Sequence, residues 1–242
     1  MRRLVLIGAA VAVAAGTAAS VAWAVGIFHE VHADTFDPAK TFLVQSGWVR
    51  GIGCPTNAGV STTGGGSPDS TYTDPACPTG DSKDTRNEGL LLAKTGPTAN
   101  VAAAVADLRN VKGIAVTELG YDLRKPTSTT DPRGSHCGAG APRFDITLQN
   151  GASYFLGCNS PPPTSQTAGN GWLRLRWGTA GTLLAFNAST GALENISGQT
   201  VDSIELVFDE GQDTGPDNFG LAVLDNIDVN GTLVGQGNPP VG

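Results

Sequence analysis

Apolar and polar residues alternate in two segments near the carboxyl end of the chain, Val201–Phe208 and Phe219–Val229. A period of two is typical of a strand with one buried face. In the first segment the alternating apolar positions are Ile204, Leu206 and Phe208. In the second, one parity contains Phe219, Leu221, Val223, Ile227 and Val229, and Asp225 falls on that same apolar face. The pattern predicts two strands joined as a hairpin by an acidic loop, 209–218, which glycine and proline keep irregular.

A second clear pattern lies in the middle of the chain. Apolar residues alternate from Phe144 to Leu148, and Asn150–Gly151 follows. This dipeptide is the one preferred in a two-residue type I′ turn. The alternation resumes from Tyr154 to Leu156, so the segment predicts a β-hairpin.

Shorter apolar runs predict further strands between turn-rich stretches, at 41–44, 48–49, 89–94, 113–124 and 172–177. Within 113–124 the alternation changes phase near Glu118, which indicates a bulge. The alanine-rich segment 100–111 fits either a short helix or a strand. The stretch 51–86 contains a glycine triplet and several prolines, so it is predicted to be a long loop.

The composition favours an all-β domain. The chain has 242 residues, of which 33 are glycine, 15 are proline and only 15% are charged. This mixture is typical of short strands joined by many turns. We therefore predict a single antiparallel β-sandwich of jelly-roll type with long loops over residues 34–242.

The amino-terminal residues have the layout of an export signal. Arg2 and Arg3 precede an apolar run from Leu4, and a small-residue cleavage site ends at Ala24. A second acceptable site ends at Ala33, and the run up to Phe28 is also long enough to serve as an uncleaved membrane anchor. We expect a signal peptide at 1–24 and a folded domain that is secreted or held in the cell envelope.

The net charge of −7 comes without a basic cluster. A nucleic acid or an anionic membrane surface attracts basic patches, so the charge argues against both as partners. A membrane is expected as a partner only if the amino-terminal segment is retained.

Four cysteines in an exported chain predict two disulfides, for which three pairings exist. The cysteines are Cys54, Cys77, Cys137 and Cys158. Pairing of sequence neighbours, Cys54 with Cys77 and Cys137 with Cys158, is the simplest arrangement. No CxxC pair occurs, which argues against zinc or thioredoxin-like chemistry.

The acidic loop is a candidate calcium site. Calcium takes six to eight oxygen ligands, and Asp209, Glu210, Asp213 and Asp217 can supply part of such a shell. A solvated turn explains the same residues, and the spacing is not that of an EF-hand. Asp225 is a stronger candidate for a calcium ligand, because burying a carboxylate on an apolar face costs free energy unless the carboxylate is paired or bound to metal. A structural hydrogen bond, or a bulge that turns Asp225 outward, accounts for it equally well.

The carboxyl-terminal sequence FGLAVLDNIDVNG resembles the last strand of carbohydrate-binding-type jelly rolls, which are related to galactose-binding-like sandwiches. In several of those families the aspartate at this position belongs to a structural calcium site, which implies that role for Asp225 alone. The middle of the chain, with GYDLRKP, GSHCGAGAPRFD and FLGCNSPP, is similar to uncharacterised secreted bacterial proteins of the same architecture. That likeness implies no activity.

The alternating run WLRLRW, Trp172–Trp177, offers a candidate sugar-binding face. Leu173, Leu175 and Trp177 are predicted to face the core. The other parity places Trp172, Arg174 and Arg176 together on the exposed face, where an aromatic ring and charged donors can hold a sugar. Three further residues extend this face if their strands are adjacent: Tyr121, Arg124 and Arg143. An ordinary outer face with arginine stems lying over the indole is the alternative.

Catalysis has little support in the sequence. Only three histidines occur, and there is no G-x-S-x-G nucleophile motif. A pair of carboxylates of the glycosidase kind stays open, with Glu118, Glu205 and Glu210 as the residues to test. We therefore predict a non-catalytic β-sandwich that binds carbohydrate or a cell-surface glycan, in which Asp225 and the acidic loop hold either a structural Ca²⁺ or a polar network. The alternatives are a structural or adhesive envelope protein and a jelly-roll glycosidase or lyase.

Overall fold

The computed structural model describes residues 27–54, 59–60, 70–71, 80–126, 137, 140–167, 171–215 and 218–237. Its regular structure consists of strands, and the described residues contain no helix of the length and apolarity needed to cross a membrane. In chain order the strands are β1 (Glu30–Phe36), β2 (Val44–Arg50), β3 (Gly59–Val60), β4 (Ser70–Thr71), β5 (Glu88–Lys94), β6 (Ala103–Arg109), β7 (Ala115–Val116), β8 (Leu119–Arg124), β9 (Arg143–Leu148), β10 (Ser153–Leu156), β11 (Thr164–Thr167), β12 (Leu173–Trp177), β13 (Leu184–Asn187), β14 (Leu193–Asn195), β15 (Gln199–Phe208), β16 (Leu221–Val229) and β17 (Thr232–Val234).

The strands form two antiparallel sheets that pack face to face. Sheet A has the order β1-β6-β15-β9-β10-β13-β14, and β7 pairs with β15. Sheet B has the order β11-β12-β8-β16-β5-β2, and β17 pairs with β16. The short strands β3 and β4 form a separate two-stranded sheet. The chain passes between the sheets repeatedly, so the predicted all-β sandwich of jelly-roll type is confirmed.

The two carboxyl-terminal segments do not form the predicted hairpin. Strand β15 lies in sheet A between β6 and β9, whereas β16 lies in sheet B between β8 and β5. The acidic segment therefore connects one sheet to the other. Alternation identified both strands. It does not show whether they pair in one sheet or face each other across the core, because the sequence pattern of a half-buried strand is the same in both cases.

One apolar core lies between the sheets. Sheet A contributes Ile204, Leu206 and Phe208, as their alternation predicts, and all three are buried. Three aromatic rings join the layers, because Tyr121 of sheet B lies 5.4 Å from both Phe144 of sheet A and Trp177 of sheet B. Full burial of each large apolar side chain contributes about 1.5–3 kcal/mol, so this cluster is a main source of stability.

The central hairpin is confirmed, but its turn is not type I′. Strands β9 and β10 pair with Ser153 opposite Thr147. Leu148 N–H donates to Ala152 O at 2.9 Å, and Gly151 has a φ of 85° while Asn150 keeps a negative φ. A type I′ turn needs a positive φ at both central residues. The connection is therefore a three-residue loop that closes with glycine in the left-handed conformation.

Two ambiguous segments are resolved by the sheets. The alanine-rich segment 100–111 contains β6, so it is a strand and not a helix. The phase change near Glu118 is not a bulge, since the chain leaves sheet A after β7 and enters sheet B at β8. The side chain of Asn230 holds this crossing, because its Oδ1 accepts the N–H groups of Thr117 and Glu118.

A β-bulge in β16 reverses the predicted faces of this strand. The pairing with β8 slips between Asp225 and Asp228, and Asn226 has a φ of 45°. Ala222 and Leu224 therefore face the core before the bulge, and Ile227 and Val229 face it afterwards. Val223 and Asp225 lie on the outer face, which contradicts the single apolar parity expected from the sequence and confirms the alternative of a bulge that turns Asp225 outward.

The predicted disulfide Cys137–Cys158 is present. Cys54 is also part of a disulfide, and its predicted partner, Cys77, lies outside the described residues.

Strand β1 begins at Glu30, before the expected domain start at residue 34, and Phe28 and Val31 belong to the core. The expected signal segment 1–24 lies outside the described residues.

Candidate functional site

The outer face of sheet B is covered, so it is not the open sugar-binding surface that WLRLRW predicted. Trp172 is only 2% exposed and packs in a small cluster with Cys54 and Val223. The Arg124 guanidinium lies over its ring at 5.3 Å from the centroid. The adjacency of Arg124 and Trp172 is thus confirmed, but the exposure expected for the indole is wrong because Ile52 and Cys54 pack against it.

Arg174 and Arg176 are tied to a buried carboxylate and do not extend freely into solvent. Asp122, which is 0% exposed, accepts two parallel hydrogen bonds from Arg174, from Nε at 2.8 Å and Nη2 at 2.9 Å. Arg176 lies 3.3 Å from the same carboxylate and 3.0 Å from that of Asp228. Asn226 Nδ2 adds a bond of 2.9 Å to Asp122. These groups form a largely buried polar network, which we call the clamp because it ties three strands of sheet B together.

The remaining residues assigned to that face lie elsewhere. Tyr121 is buried in the core, and its hydroxyl donates to Pro142 O at 2.7 Å. Burial raises its pKa well above the usual value for tyrosine. Arg143 lies on β9 in the other sheet. The structure therefore does not bring the six predicted ligand-binding residues together.

The acidic segment and Asp225 are also apart. Asp209 accepts a hydrogen bond from Arg143, Asp213 accepts two from Thr98, and Glu210 forms a fully buried ion pair with Lys125. Asp217 lies outside the described residues. Among the described residues there is no group of three or more histidine, cysteine or acidic side chains arranged to hold a metal ion.

Asp225 is a buried carboxylate that the backbone holds in place. Its Oδ2 accepts the N–H of Cys54 at 2.6 Å, and its Oδ1 accepts the N–H of Asn226 at 2.6 Å. Burial, together with the carboxylates of Asp122 and Asp84, raises its pKa well above the usual range. Two N–H groups leave lone pairs free on the carboxylate, so Asp225 fits as one oxygen ligand for calcium, and calcium binding stays a prediction.

An open groove lies on the outer face of sheet A. It has a volume of about 490 Å³, which is within the range of ligand pockets. Its floor is apolar, because Ala103, Val105 and Val207 face outward on β6 and β15 and are each 5–6% exposed. The lining residues come from four successive strands, β1, β6, β15 and β9, so the groove runs across the strands for about 14 Å at the usual spacing of about 4.8 Å.

One wall is the loop 98–101, which buried contacts hold in place. Lys94 is 0% exposed, and its ammonium donates to the carbonyls of Thr98 and Asn100. Asp213 accepts the N–H and the hydroxyl of Thr98, both at 2.7 Å. The loop exposes Val101, and Phe36 on β1 is 56% exposed at the same groove. An apolar floor thus meets an exposed aromatic ring and an anchored polar loop.

The opposite end of the groove is charged. Arg143 donates to Asp145 at 2.8 Å and to Asp209 at 2.7 Å, and its guanidinium lies over the ring of Phe155 at 5.7 Å. Glu205 lines the same end and is the direct cross-strand partner of Asp145. Burial raises the pKa of both Asp145 and Glu205, and their neighbouring carboxylates act in the same direction. Half-buried carboxylates with raised pKa values in an open cleft are typical of functional sites.

Sequence reasoning named Arg143, Glu205 and Asp209 for other reasons and missed Phe36, Val105 and Phe155. One signal was available, because β6 is apolar at consecutive positions, Ala103–Ala106, whereas a strand with a solvated face alternates. That signal indicates a covered or ligand-facing outer surface. Which strands lie beside β6 depends on pairing, which a single sequence does not reveal.

No protein-family model matches the chain, and no curated protein matches it. Among solved structures it is similar to a family 11 carbohydrate-binding module from Clostridium thermocellum in complex with a β-1,3-1,4-mixed-linked tetrasaccharide, at 12% identity and a TM-score of 0.37, over 85% of this chain and 91% of that chain. It is also similar to the family 11 module of a cellulosomal cellulase of the same organism, at 11% identity and a TM-score of 0.35, over 87% of this chain and 91% of that chain.

Proposed function

We propose that the protein binds a carbohydrate chain in the groove of sheet A. The observation that carries this proposal is the combination of a buried apolar floor, at Ala103, Val105 and Val207, with an exposed ring, Phe36, and polar groups at both ends. A pyranose ring has an apolar C–H face and a rim of hydroxyl groups. The floor and Phe36 fit the first, and Asn100, Arg143 and Asp145 fit the second.

The position of the groove supports a chain-like ligand. It crosses the strands on an open face of the sheet, so a polymer can enter and leave along its length. The disulfides favour a location outside the reducing cytoplasm, where polysaccharides are abundant. We therefore propose an extracellular binding module.

Affinity electrophoresis in gels that contain neutral or charged polysaccharides tests the proposal. We expect at least one polysaccharide to retard the protein and Phe36→Ala to weaken that binding about tenfold, since an aromatic contact is worth up to about 1.5 kcal/mol beyond its buried area. Leu193→Ala is the matched control, because Leu193 is an exposed apolar residue on β14 at the far edge of the same sheet. Free migration in every gel, or equal retardation of Phe36→Ala and the parent, refutes the proposal.

Hydrolysis of the bound glycan is a second candidate function. Glu205 and Asp145 are direct cross-strand partners, which places their Cβ atoms about 5 Å apart, and the pKa of each is raised. Glycosidases use two carboxylates of this kind, one protonated and one ionised. New reducing ends that disappear in Glu205→Gln support hydrolysis. An absence of product from every polysaccharide that binds excludes it.

A further inference from the structure

The charges that line the groove are unbalanced. Among the described residues three carboxylates line it, Asp145, Glu205 and Asp209, together with the guanidinium of Arg143. Arg143 already pairs with Asp145 and Asp209. In the described part of the chain no ion pair engages Glu205, so this carboxylate is the one that a ligand can still neutralise.

Glu205 also lies in a row of like charges. Its direct cross-strand partners are Asp107 on β6 and Asp145 on β9. Like charges in directly opposite positions repel each other, and burial strengthens the effect. These two carboxylates and Asp34 raise the pKa of Glu205 after burial itself, while Arg143 opposes them. A cation placed over Glu205 relieves this repulsion, whereas a polyanionic ligand increases it.

We propose that the groove takes a glycan that carries free, protonated amino groups, with one ammonium lying over Glu205. This inference rests on the proposed function and narrows it to amino-sugar polymers. The apolar floor receives the C–H faces of the sugar rings, and Asp145 and Asp209 accept from the neighbouring hydroxyl or ammonium groups.

A cationic peptide fits this site less well than an amino sugar. Peptides usually dock on a sheet by adding a strand at an exposed edge, where their main chain finds hydrogen-bond partners. Three of the four lining strands, β6, β15 and β9, pair with a neighbour on both sides, so their backbone N–H and C=O groups are already used in the sheet. The fourth, β1, is an edge strand among the described residues, and the indole N–H of Trp48 on β2 donates to Val31 O on it. A ligand that lies across the middle of the groove therefore meets side chains.

Calorimetric titration with β-1,4-linked glucosamine oligomers and with their N-acetylated counterparts of equal length tests the inference. The two ligands have the same linkage and length and differ at the nitrogen, which is a charged ammonium in the first and a neutral amide in the second. At low ionic strength we expect the free amine to bind about tenfold more tightly and this advantage to shrink in high salt. Glu205→Gln removes the charge but keeps the shape of the side chain, so the ratio of the two affinities should fall to nearly one.

Two controls keep the result specific. Glu194→Gln makes the same substitution on β14, outside the groove. Its amide oxygen can still accept a hydrogen bond from the Tyr154 hydroxyl, which now lies 2.8 Å from the Glu194 carboxylate. This control should leave both affinities unchanged. Phe36→Ala should lower the affinity for both oligomers by the same factor, because it removes an apolar contact and leaves the carboxylates of the groove in place. Thermal melting of each variant establishes that it is folded.

The outcomes separate the inference from the function on which it rests. If the acetylated oligomer or another neutral polysaccharide binds as tightly as the free amine, the glycan-binding function stands and the amino-sugar inference is wrong. If polylysine of matched charge binds as tightly as the amino sugar, the inference is also wrong. If no polysaccharide binds, the proposed function and the amino-sugar inference are both wrong.

Discussion

The clamp on the outer face of sheet B allows a quantitative prediction for Asp122→Asn. Asp122 is fully buried and neutralises Arg174 and Arg176, whose side chains are only 13% and 10% exposed. The substitution keeps the shape of the side chain but removes the charge that pairs with Arg174, while Arg176 keeps its ion pair with Asp228 at 3.0 Å. Breaking a buried ion pair in this way costs about 3–5 kcal/mol. In a domain of this size that loss corresponds to a decrease in Tm of roughly 6–20 °C.

Chemical denaturation followed by circular dichroism measures this loss. The matched control is Asp202→Asn, because Asp202 pairs with Lys112 at 2.6 Å but both side chains are substantially exposed. An exposed pair of this kind contributes less than about 1 kcal/mol. If Asp122→Asn destabilises the protein no more than the control does, the network is not a structural clamp, and a ligand-binding role for Arg174 and Arg176 becomes the better explanation.

Three further predictions concern stability. Replacing Cys137 and Cys158 together by serine should lower the free energy of unfolding by about 3 kcal/mol, since the bond spans a sequence separation of 21; a loss below about 1 kcal/mol in denaturant titrations contradicts this. Because the pKa of Asp225 is raised on folding, the contribution of Asp225 to stability should fall as the pH rises from about 4, the usual value for aspartate, towards the raised pKa of the folded state. The difference in stability between the parent and Asp225→Asn should therefore change with pH in this direction, and a difference that does not depend on pH contradicts the prediction. Calcium should raise the Tm of the parent at neutral pH but not that of Asp225→Asn, and equal shifts in differential scanning fluorimetry would exclude a site at Asp225.

Much of the fold can be predicted from the sequence because the signal is local. Alternation identifies β9, β10, β12 and β15, and the inward positions Leu175, Trp177 and Leu206 follow from it. The bulge at Asn226 could not be located from the pattern alone, because one extra residue exchanges the two faces of a strand without any change in composition. The parity assigned to Val223 and Asp225 was wrong for this reason.

The candidate site was much harder to predict than the strands. The exposed positions of WLRLRW were identified correctly as an outer face, but the sequence does not show that another segment covers it. The groove depends on the order β1-β6-β15-β9, which joins residues as distant in the chain as Phe36 and Glu205. Lateral neighbours of this kind are decided by the packing of the whole sandwich, so single-strand patterns do not contain them.

The buried ammonium of Lys94 has a consequence for the kinetics of recognition. A lysine that is sequestered from water and donates to the carbonyls of Thr98 and Asn100 holds the rim of the groove from beneath, while Asp213 fastens it from the side. A polymer that arrives therefore meets a surface whose shape is already set, and little ordering entropy is lost when it docks. If a glycan docks in this groove as proposed, differences in affinity between related glycans should lie mainly in how long each stays bound.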